Sequence, residues 1–558
     1  MTQTVSSLSE AIAQHARDGG DRPALIQGDV ILTYTGLDAL MNRVVAALQR
    51  DGLSVGDRVA LLGEPSVEYA AAFVSVVRAG MTPVPLAPSV TDDTLKAMLV
   101  DANPRLVFSD ASQSARLDGF EIVTLDGSAG GRAWLDWLAP EGAAPVVEPI
   151  DPATAFNIIY SSGTTGVPKG IIHSHRMREG QMGALAALFS GEVVTLLTTP
   201  LYSNTTLVTL LPTLRAGGAV VVMRKFDTKS FLELSQKHAI THTMLVPVQY
   251  QRLMAEPAFD DFDLSSFQLK LCTSAPFSVE LKSEVLRRWP GGLLEIFGMT
   301  EGGGICFLPA HLFPEKLHTV GMPAPGSDIR IINDDGVEQP VGETGEIVSH
   351  SAQMMIGYNN RPEATEAGRW TDPEGRAFIR TGDLGRFDAE GFLQIVGRKK
   401  DMIISGGFNI YPIDLEIQID AHPEVLEAAV IGVPDAHSGE AVQAFVVRKR
   451  ARNVPPEDAA SYILGYTCLN DVTARDIQTE DGQWTRAKSM DGFAPIGPVV
   501  TDEVDPSDLK LETRCNGEVV QSSRTSAMMH SVPQLLAFIT ASMTLEPGDV
   551  VATGTPAG

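Results

Sequence analysis

Cysteine is scarce in this chain: 4 among 558 residues, at Cys272, Cys306, Cys468 and Cys515, with no Cys-x-x-Cys pair. That scatter excludes a disulfide framework and a thiolate zinc site, and it suits free, mostly buried thiols in a reducing compartment. Long apolar runs are missing as well. None approaches the ~20 residues a helix needs to cross a bilayer, and the N-terminal MTQTVSSLSEAIAQHARDGG lacks a basic segment followed by an apolar core. A cytoplasmic protein with no membrane span is expected. Basic residues are outnumbered, 43 Lys and Arg against 69 Asp and Glu, for a formal charge of -26. Such a surplus repels a phosphate backbone, and the only dense basic clusters, GRKKD and VVRKRAR, are short. Nucleic acid is therefore not an expected partner. Fixed-period repeats and low-complexity tracts are absent too.

What is present is the composition of a globular protein, 44% hydrophobic and 20% charged, in a chain long enough for three or four domains. LTYTGLDALMNRVVAALQRDG has apolar residues at helical spacing and ends on Gly52; DRVALLG reads as a short buried strand; SVEYAAAFVSVVRAG reads as a second helix, closed by Gly80. The alternation returns around AVVVMRKF and THTMLVPVQYQRLM, which predicts an α/β architecture with largely parallel sheets. Between Gly336 and Gly397 the texture changes to short strands and turns, a β-rich module. After Arg398 strand, helix and strand alternate again, punctuated by turn residues at Gly406-Gly407 and Val433-Pro434-Asp435.

Chemistry enters with IIYSSGTTGVPKG, Ile158 to Gly170. An apolar strand leads into a Ser/Thr/Gly loop with a lysine, and backbone N–H groups and hydroxyls in such a loop can wrap phosphate oxygens. It is not a Walker loop, because Lys169 follows Pro168 rather than a glycine. Taken alone the segment reads equally well as an ordinary flexible loop.

Three further motifs follow in order: IFGMTEGG (Ile296 to Gly303), RTGDLGRFD (Arg380 to Asp388) and GRKKDMIISGGFNIYP (Gly397 to Pro412). Together with SSGTTGVPKG they resemble the adenylate-forming enzymes, and within them the acyl- and aryl-CoA synthetases, over residues 1–449. The resemblance implies a large multi-sheet α/β N-terminal domain (1–396) with a β-rich subdomain, and a small α+β C-terminal domain (397–449). It implies ATP, Mg²⁺ and CoA, and a carboxylic acid, aromatic or medium-chain, as substrate. Ser161, Ser162, Gly163, Thr164, Thr165, Gly166 and Lys169 would hold the triphosphate; Thr300 and Glu301 would meet the α-phosphate and Mg²⁺; Phe297, beside Gly298, would stack on adenine where the family usually has tyrosine. Lys169, Thr300 and Glu301 are the implied catalytic set. Asp383 would accept from both ribose hydroxyls, assisted by Arg398, and Ser274, Ala275 and Pro276 would line the nucleotide and acyl pocket. Lys400 stands at the family's hinge, and Gly406 and Gly407 would let the backbone approach the pantetheine channel. The sequence departs at PLYSNTTL: Tyr202 is followed by Ser203 where many relatives have histidine, so the acyl pocket, with Gly302, Gly303 and Gly304, is expected to be shaped differently.

Two further features set limits. No proline- and glycine-flanked lysine follows AVQAFVV, which implies a truncated C-terminal ligase domain and an impaired adenylation step. From about Arg450 the chain resembles a different family, the fumarylacetoacetate hydrolases, through YILGYTCLNDVTARDIQ, QWTRAKSMDGFAPIGP, RCNGEVVQSS and LEPGDVVATGTPAG. That resemblance implies a partial, mainly-β hydrolase-type domain over 450–558, with Asp471 matching one metal ligand and Lys488 the lysine near it. The paired carboxylates expected upstream fall near Glu440 and Val442, so one is missing and Asp471 reads as a vestigial ligand. AFVVRKRARNV thus serves two truncated domains at once, with no linker beyond Val454-Pro455-Pro456, as recombination or an error of sequence assembly would leave it. Two other readings stay open: a metal-dependent hydrolase, isomerase or decarboxylase, and a non-catalytic nucleotide-binding chimera whose β-rich module self-associates as a homodimer.

Overall fold

The structure is a computed structural model. It describes residues 7–146, 148–161 and 168–399, and beyond these 403–405, 408–410, 428–435, 439–446, 455–467, 500–501, 505, 507–515, 518–524, 526, 532–542, 545 and 551. The chain divides into two compact units, one of residues 1–381 and 385–395, the other of 382–384 and 396–558.

The first unit is α/β, and its opening shows why. Helix Tyr34–Arg50 begins where Thr33 Oγ1 accepts from the Gly36 N–H, and its buried face is Leu37, Met41, Val44, Val45 and Leu48, the 3.6-residue stripe of the sequence. Strand Arg58–Leu62 is followed by helix Val67–Arg78, capped by Ser66 and buried on nearly every side. Such helices cover a five-stranded sheet, ordered Thr82–Pro85, Arg58–Leu62, Leu106–Ser109, Ile122–Thr124 and Arg132–Ala133, whose neighbours are all parallel.

A nine-stranded sheet carries the site. Its strands run in the order Met322–Pro323, Cys306–Pro309, Gly292–Phe297, Leu269–Cys272, His242–Leu245, Val194–Leu197, Ala219–Val222, Pro23–Gln27 and Val30–Thr33, parallel in the middle and antiparallel at both edges. The strands after Gly292 and Leu269 end near Phe297 and Cys272, so IFGMTEGG and CTSAPF leave the sheet from the carboxyl ends of adjacent parallel strands. That is where open α/β sheets place ligands. A three-stranded antiparallel sheet (Gly357–Tyr358, Lys169–Ser174, Ala155–Ser161) completes the surroundings.

The β-rich module is present, built on strands Asp328–Ile332, Gly345–His350, Ala377–Phe387 and Arg369–Thr371, with Leu393–Arg398 beside Ala377–Phe387. Cys272 and Cys306 are free and buried, and burial raises both thiols above their ordinary range.

In the second unit, strands Phe408–Ile410, Ile403–Ser405, Gly439–Val446 and Ala428–Asp435 form one sheet. Here Val433, Pro434 and Asp435 are not a turn. They continue strand Ala428–Asp435, with Pro434 opposite Glu440, and the proline is tolerated because that strand lies on the sheet's edge. A hairpin of Lys510–Cys515 and Glu518–Arg524 and a helix Val532–Ser542 follow; Leu536 of that helix gathers Tyr462, Ile463 and Leu545. Among the described residues no helix is long and apolar enough to cross a membrane.

Candidate active site

The Ser/Thr/Gly segment joins two antiparallel strands, Ala155–Ser161 and Lys169–Ser174, in which Ser161 is paired with Lys169. Ser162, Gly163, Thr164, Thr165 and Gly166 lie outside the described residues. Lys169 points to a partner that the sequence did not single out: its Nζ sits 5.1 Å from the centre of the Tyr358 ring. The Tyr358 hydroxyl in turn donates to Glu301 Oε1 at 2.8 Å. Burial and the neighbouring Glu301 charge raise the Tyr358 hydroxyl, which keeps it a donor.

Tyr358 is held from behind. The Asn359 N–H donates to the Gly170 carbonyl at 2.7 Å, its amide donates to Asp101, and Arg58 Nη2 donates to Asn359 Oδ1 at 2.9 Å. Helix Asp92–Ala102 and the five-stranded sheet thereby fix the strand that presents Tyr358.

The segment Phe297 to Gly303 is pinned along its length. The Met355 N–H donates to the Glu301 carbonyl at 2.8 Å, and Ser351 Oγ donates to the Gly303 carbonyl. Gly302 and Gly303 both have φ of +82, and a β-carbon at Gly302 would run into the Gln353 carbonyl oxygen, so this approach requires glycine. On the other side His173, fully buried, holds the Thr300 carbonyl through Nε2 at 2.7 Å, while its Nδ1 receives Arg178 Nη2 at 2.8 Å. Burial and the Arg178 charge push the imidazole well below its usual range. It is therefore neutral and carries its proton on Nε2. Phe297 ends its strand half-buried against Cys306, Ile329 and Ile347. Ser274 is exposed at φ +81, a strained value for a residue with a β-carbon, and its hydroxyl lies 3.1 Å from Thr205 Oγ1; Ala275 and Pro276 are exposed beside it.

Next to Thr300 opens a cavity of about 410 Å³. Ser203, Ser274, Gly298, Thr300, Gly302 and Gly303 line it; Tyr202, half-buried, is not among the lining residues. Its apolar walls come from helix His175–Leu185 (Met182, Leu185), helix Asn204–Ala216 (Leu207, Leu211) and the sheet (Met244, Phe307). Among the polar groups facing it are Arg178, and Asn204, whose Oδ1 is buried without a hydrogen-bond partner.

Within the second unit, Arg398 Nε reaches Asp383 Oδ1 at 2.7 Å. Burial raises the Asp383 carboxyl and the Arg398 charge opposes that shift. Lys400, Gly406, Gly407 and Asp471 lie outside the described residues.

Tyr358, His173 and Arg178 escaped the sequence reading because each acts through strand pairing or helix packing rather than through a motif. For His173 and Arg178 the available signal was HSHRMREG, with two histidines and two arginines shortly after the loop.

The AMP-binding enzyme family is matched over residues 12–359, and the fumarylacetoacetate hydrolase C-terminal family over 427–558. The second match takes in strands Ala428–Asp435 and Gly439–Val446. Among curated relatives, 4-coumarate–CoA ligase 5 of Oryza sativa subsp. japonica is 33% identical over 82% of this chain and 88% of its own. Indoleacetate–CoA ligase of Aromatoleum aromaticum is 33% identical over 80% and 89%. Among solved structures, ATP-bound MatB from Rhodopseudomonas palustris superposes with a TM-score of 0.73 at 30% identity, over 87% of this chain and 93% of its own. The chain belongs to the AMP-binding enzyme family, among its AMP-forming acid–CoA ligases, and carries a fumarylacetoacetate hydrolase-type segment after the AMP-binding match.

Proposed function

We propose that this chain activates a carboxylic acid with ATP and passes the acyl group to CoA, and that its first half-reaction is slow. The observation that carries the reading is the run of contacts from Lys169 through Tyr358 to Glu301, placed between Thr300 and Gly302 at the edge of an apolar cavity. The carboxylate of the acid attacks the α-phosphorus of ATP, the bond to the bridging oxygen breaks, and pyrophosphate leaves. The CoA sulfur, as thiolate, then attacks the acyl carbon and AMP departs. Charge gathers on phosphoryl oxygens in the first step, where Lys169, Thr300 and the backbone donors of the loop would stabilise it. Asp383, paired with Arg398, would accept from the ribose hydroxyls, and Phe297 would cover adenine.

The residues present fit Mg²⁺. Glu301 offers a hard oxygen ligand fixed by Tyr358, and among the described residues no cluster of three or more His, Cys, Asp or Glu surrounds it. A single carboxylate suffices, because Mg²⁺ usually keeps several waters and takes substrate phosphates for the rest. When bound, the ion would neutralise phosphate charge.

Domain limits of 1–396, 397–449 and 450–558, a hinge at Lys400, and a pantetheine approach at Gly406 and Gly407 belong to the same reading. So does the acid, aromatic or medium-chain; the names of the 4-coumarate and indoleacetate ligases support the aromatic choice. The missing C-terminal lysine would cost the adenylation step about 2.7–4 kcal/mol, the worth of one preorganised donor. The test is a carboxylic-acid panel with pyrophosphate and thioester measured separately, alongside a synthetic acyl-adenylate. Thioester should form from the adenylate far faster than from acid plus ATP; equal rates would remove the impaired step, and no thioester from either would remove the ligase reading.

A further inference from the structure

Arg178 is 1% exposed, lines the acyl cavity, and forms no ion pair with a carboxylate among the described residues. Its three contacts are all neutral acceptors: Nε donates to Asn157 Oδ1 at 2.9 Å, Nη1 to Gln181 Oε1 at 3.0 Å, and Nη2 to the His173 Nδ1 at 2.8 Å. A buried guanidinium normally has a compensating carboxylate, since desolvating an unpaired charge is costly. Its place on the helix adds to the cost. Helix His175–Leu185 is capped by Ser174, so Arg178 lies in its first turns, where the helix dipole disfavours a cation and favours an anion. Burial alone lowers Arg178 to about 9, which still leaves it charged at neutral pH. Five N–H donors in a fork and three acceptors leave two N–H groups for a ligand.

The position of this charge is informative. Arg178 is one imidazole and two hydrogen bonds from the Thr300 carbonyl, at the end of the cavity where the acid would be activated. From there the same helix face runs on through Met182 to Leu185, two turns away and apolar. We propose that Arg178 is the counter-ion for a second acidic group on the substrate, so that the acid is a dicarboxylate whose carboxyl groups lie few bonds apart and which carries an apolar substituent extending toward Leu185 and Phe307. This inference rests on the ligase reading above.

The experiment is titration calorimetry on the full chain with Mg²⁺ and a non-hydrolysable ATP analogue, followed by phenylsuccinate, its two half-amides and 3-phenylpropionate. Phenylsuccinate should bind roughly 30-fold tighter than either half-amide or the monoacid, as expected for a hydrogen-bonded buried charge pair. The Arg178→Leu chain should lose that preference. If the analogue binds but the half-amides and monoacid match the diacid on the unmodified chain, Arg178 is a structural cation and the proposal is overturned with the ligase reading intact. If the analogue itself does not bind, the ligase reading falls and the proposal with it. The comparison on the unmodified chain decides the matter even where the variant misfolds.

Discussion

At the scale of single residues, Lys169 and Asp383 make separable demands. Replacing Lys169 by Ala removes a cation that stacks on Tyr358 beside Glu301, and replacing Asp383 by Asn keeps the shape but removes the charge that would accept from the ribose. Each change should weaken Mg²⁺–ATP binding by roughly 10-fold or more, since hydrogen bonds to charged groups contribute about 1.5–3 kcal/mol. Calorimetry checks this, and unchanged affinity in both variants would refute the assigned nucleotide site. Gly302 makes a conformational demand. Gly302→Ala places a β-carbon at φ +82 against the Gln353 carbonyl, so the chain should lose about 1–3 kcal/mol from backbone strain together with the alignment of Glu301. A lowered Tm with a loss of ATP binding is the expected pair of results. Gly302 and Lys169 were legible in the sequence because motifs mark them. Tyr358 and Arg178 were not, because strand register with Lys169–Ser174 brings one to the site and a helix face brings the other.

At the scale of elements, helix His175–Leu185 joins the hairpin to the cavity wall, and its first residue makes it acid-sensitive. His175 is buried, its Nε2 has no hydrogen-bond partner, and its ring lies edge-on to Phe156 at 5.0 Å. Burial lowers its pKa to about 4, against an unfolded value of about 6.5. The folded state therefore resists a proton that the unfolded state accepts. The stability from this residue is complete above pH 6.5 and is lost as pH falls toward 4, up to about 3 kcal/mol. His173 and His242 shift in the same direction, so wild type should lose Tm across that window. His175→Phe should lose less over the same range, as thermal melts at pH 7, 5.5 and 4.5 would show; an identical pH dependence in both chains would rule His175 out. The alternation of helix and strand was readable because apolar spacing sets it locally. Helices Tyr34–Arg50 and Val67–Arg78 appear where the stripe and their closing glycines put them. The order of the nine-stranded sheet was not readable, since pairing between Ala219–Val222 and Pro23–Gln27 spans nearly two hundred residues and leaves no local mark. Val433-Pro434-Asp435 misled for a related reason: turn-forming residues also suit an edge strand, and only the sheet order shows which applies.

At the scale of the whole molecule, two family signatures share one chain, the second beginning just before the strand Ala428–Asp435. The hydrolase chemistry needs several carboxylates on one divalent ion to make an enolate leaving group tolerable. At the two places where a carboxylate pair is expected, this chain has Glu440 and Val442, set in strand Gly439–Val446 opposite Pro434 and Gly432. One carboxylate of the pair is thus a hydrocarbon, and the family match begins only at residue 427, behind the AMP-binding match. The proposed triphosphate and acyl surroundings, in contrast, lie within the first unit. The two activities should therefore come apart. With Mg²⁺ or Mn²⁺ the intact chain, verified by mass at 59.7 kDa, should leave an acylpyruvate uncleaved, while the same preparation binds Mg²⁺–ATP. Asp471→Asn should change neither result, because Val442 stands at one of the two places where the paired carboxylates are expected. Metal-dependent cleavage that Asp471→Asn abolishes would show that the remaining ligands come from elsewhere in the chain, and that the hydrolase-type segment works as a site of its own.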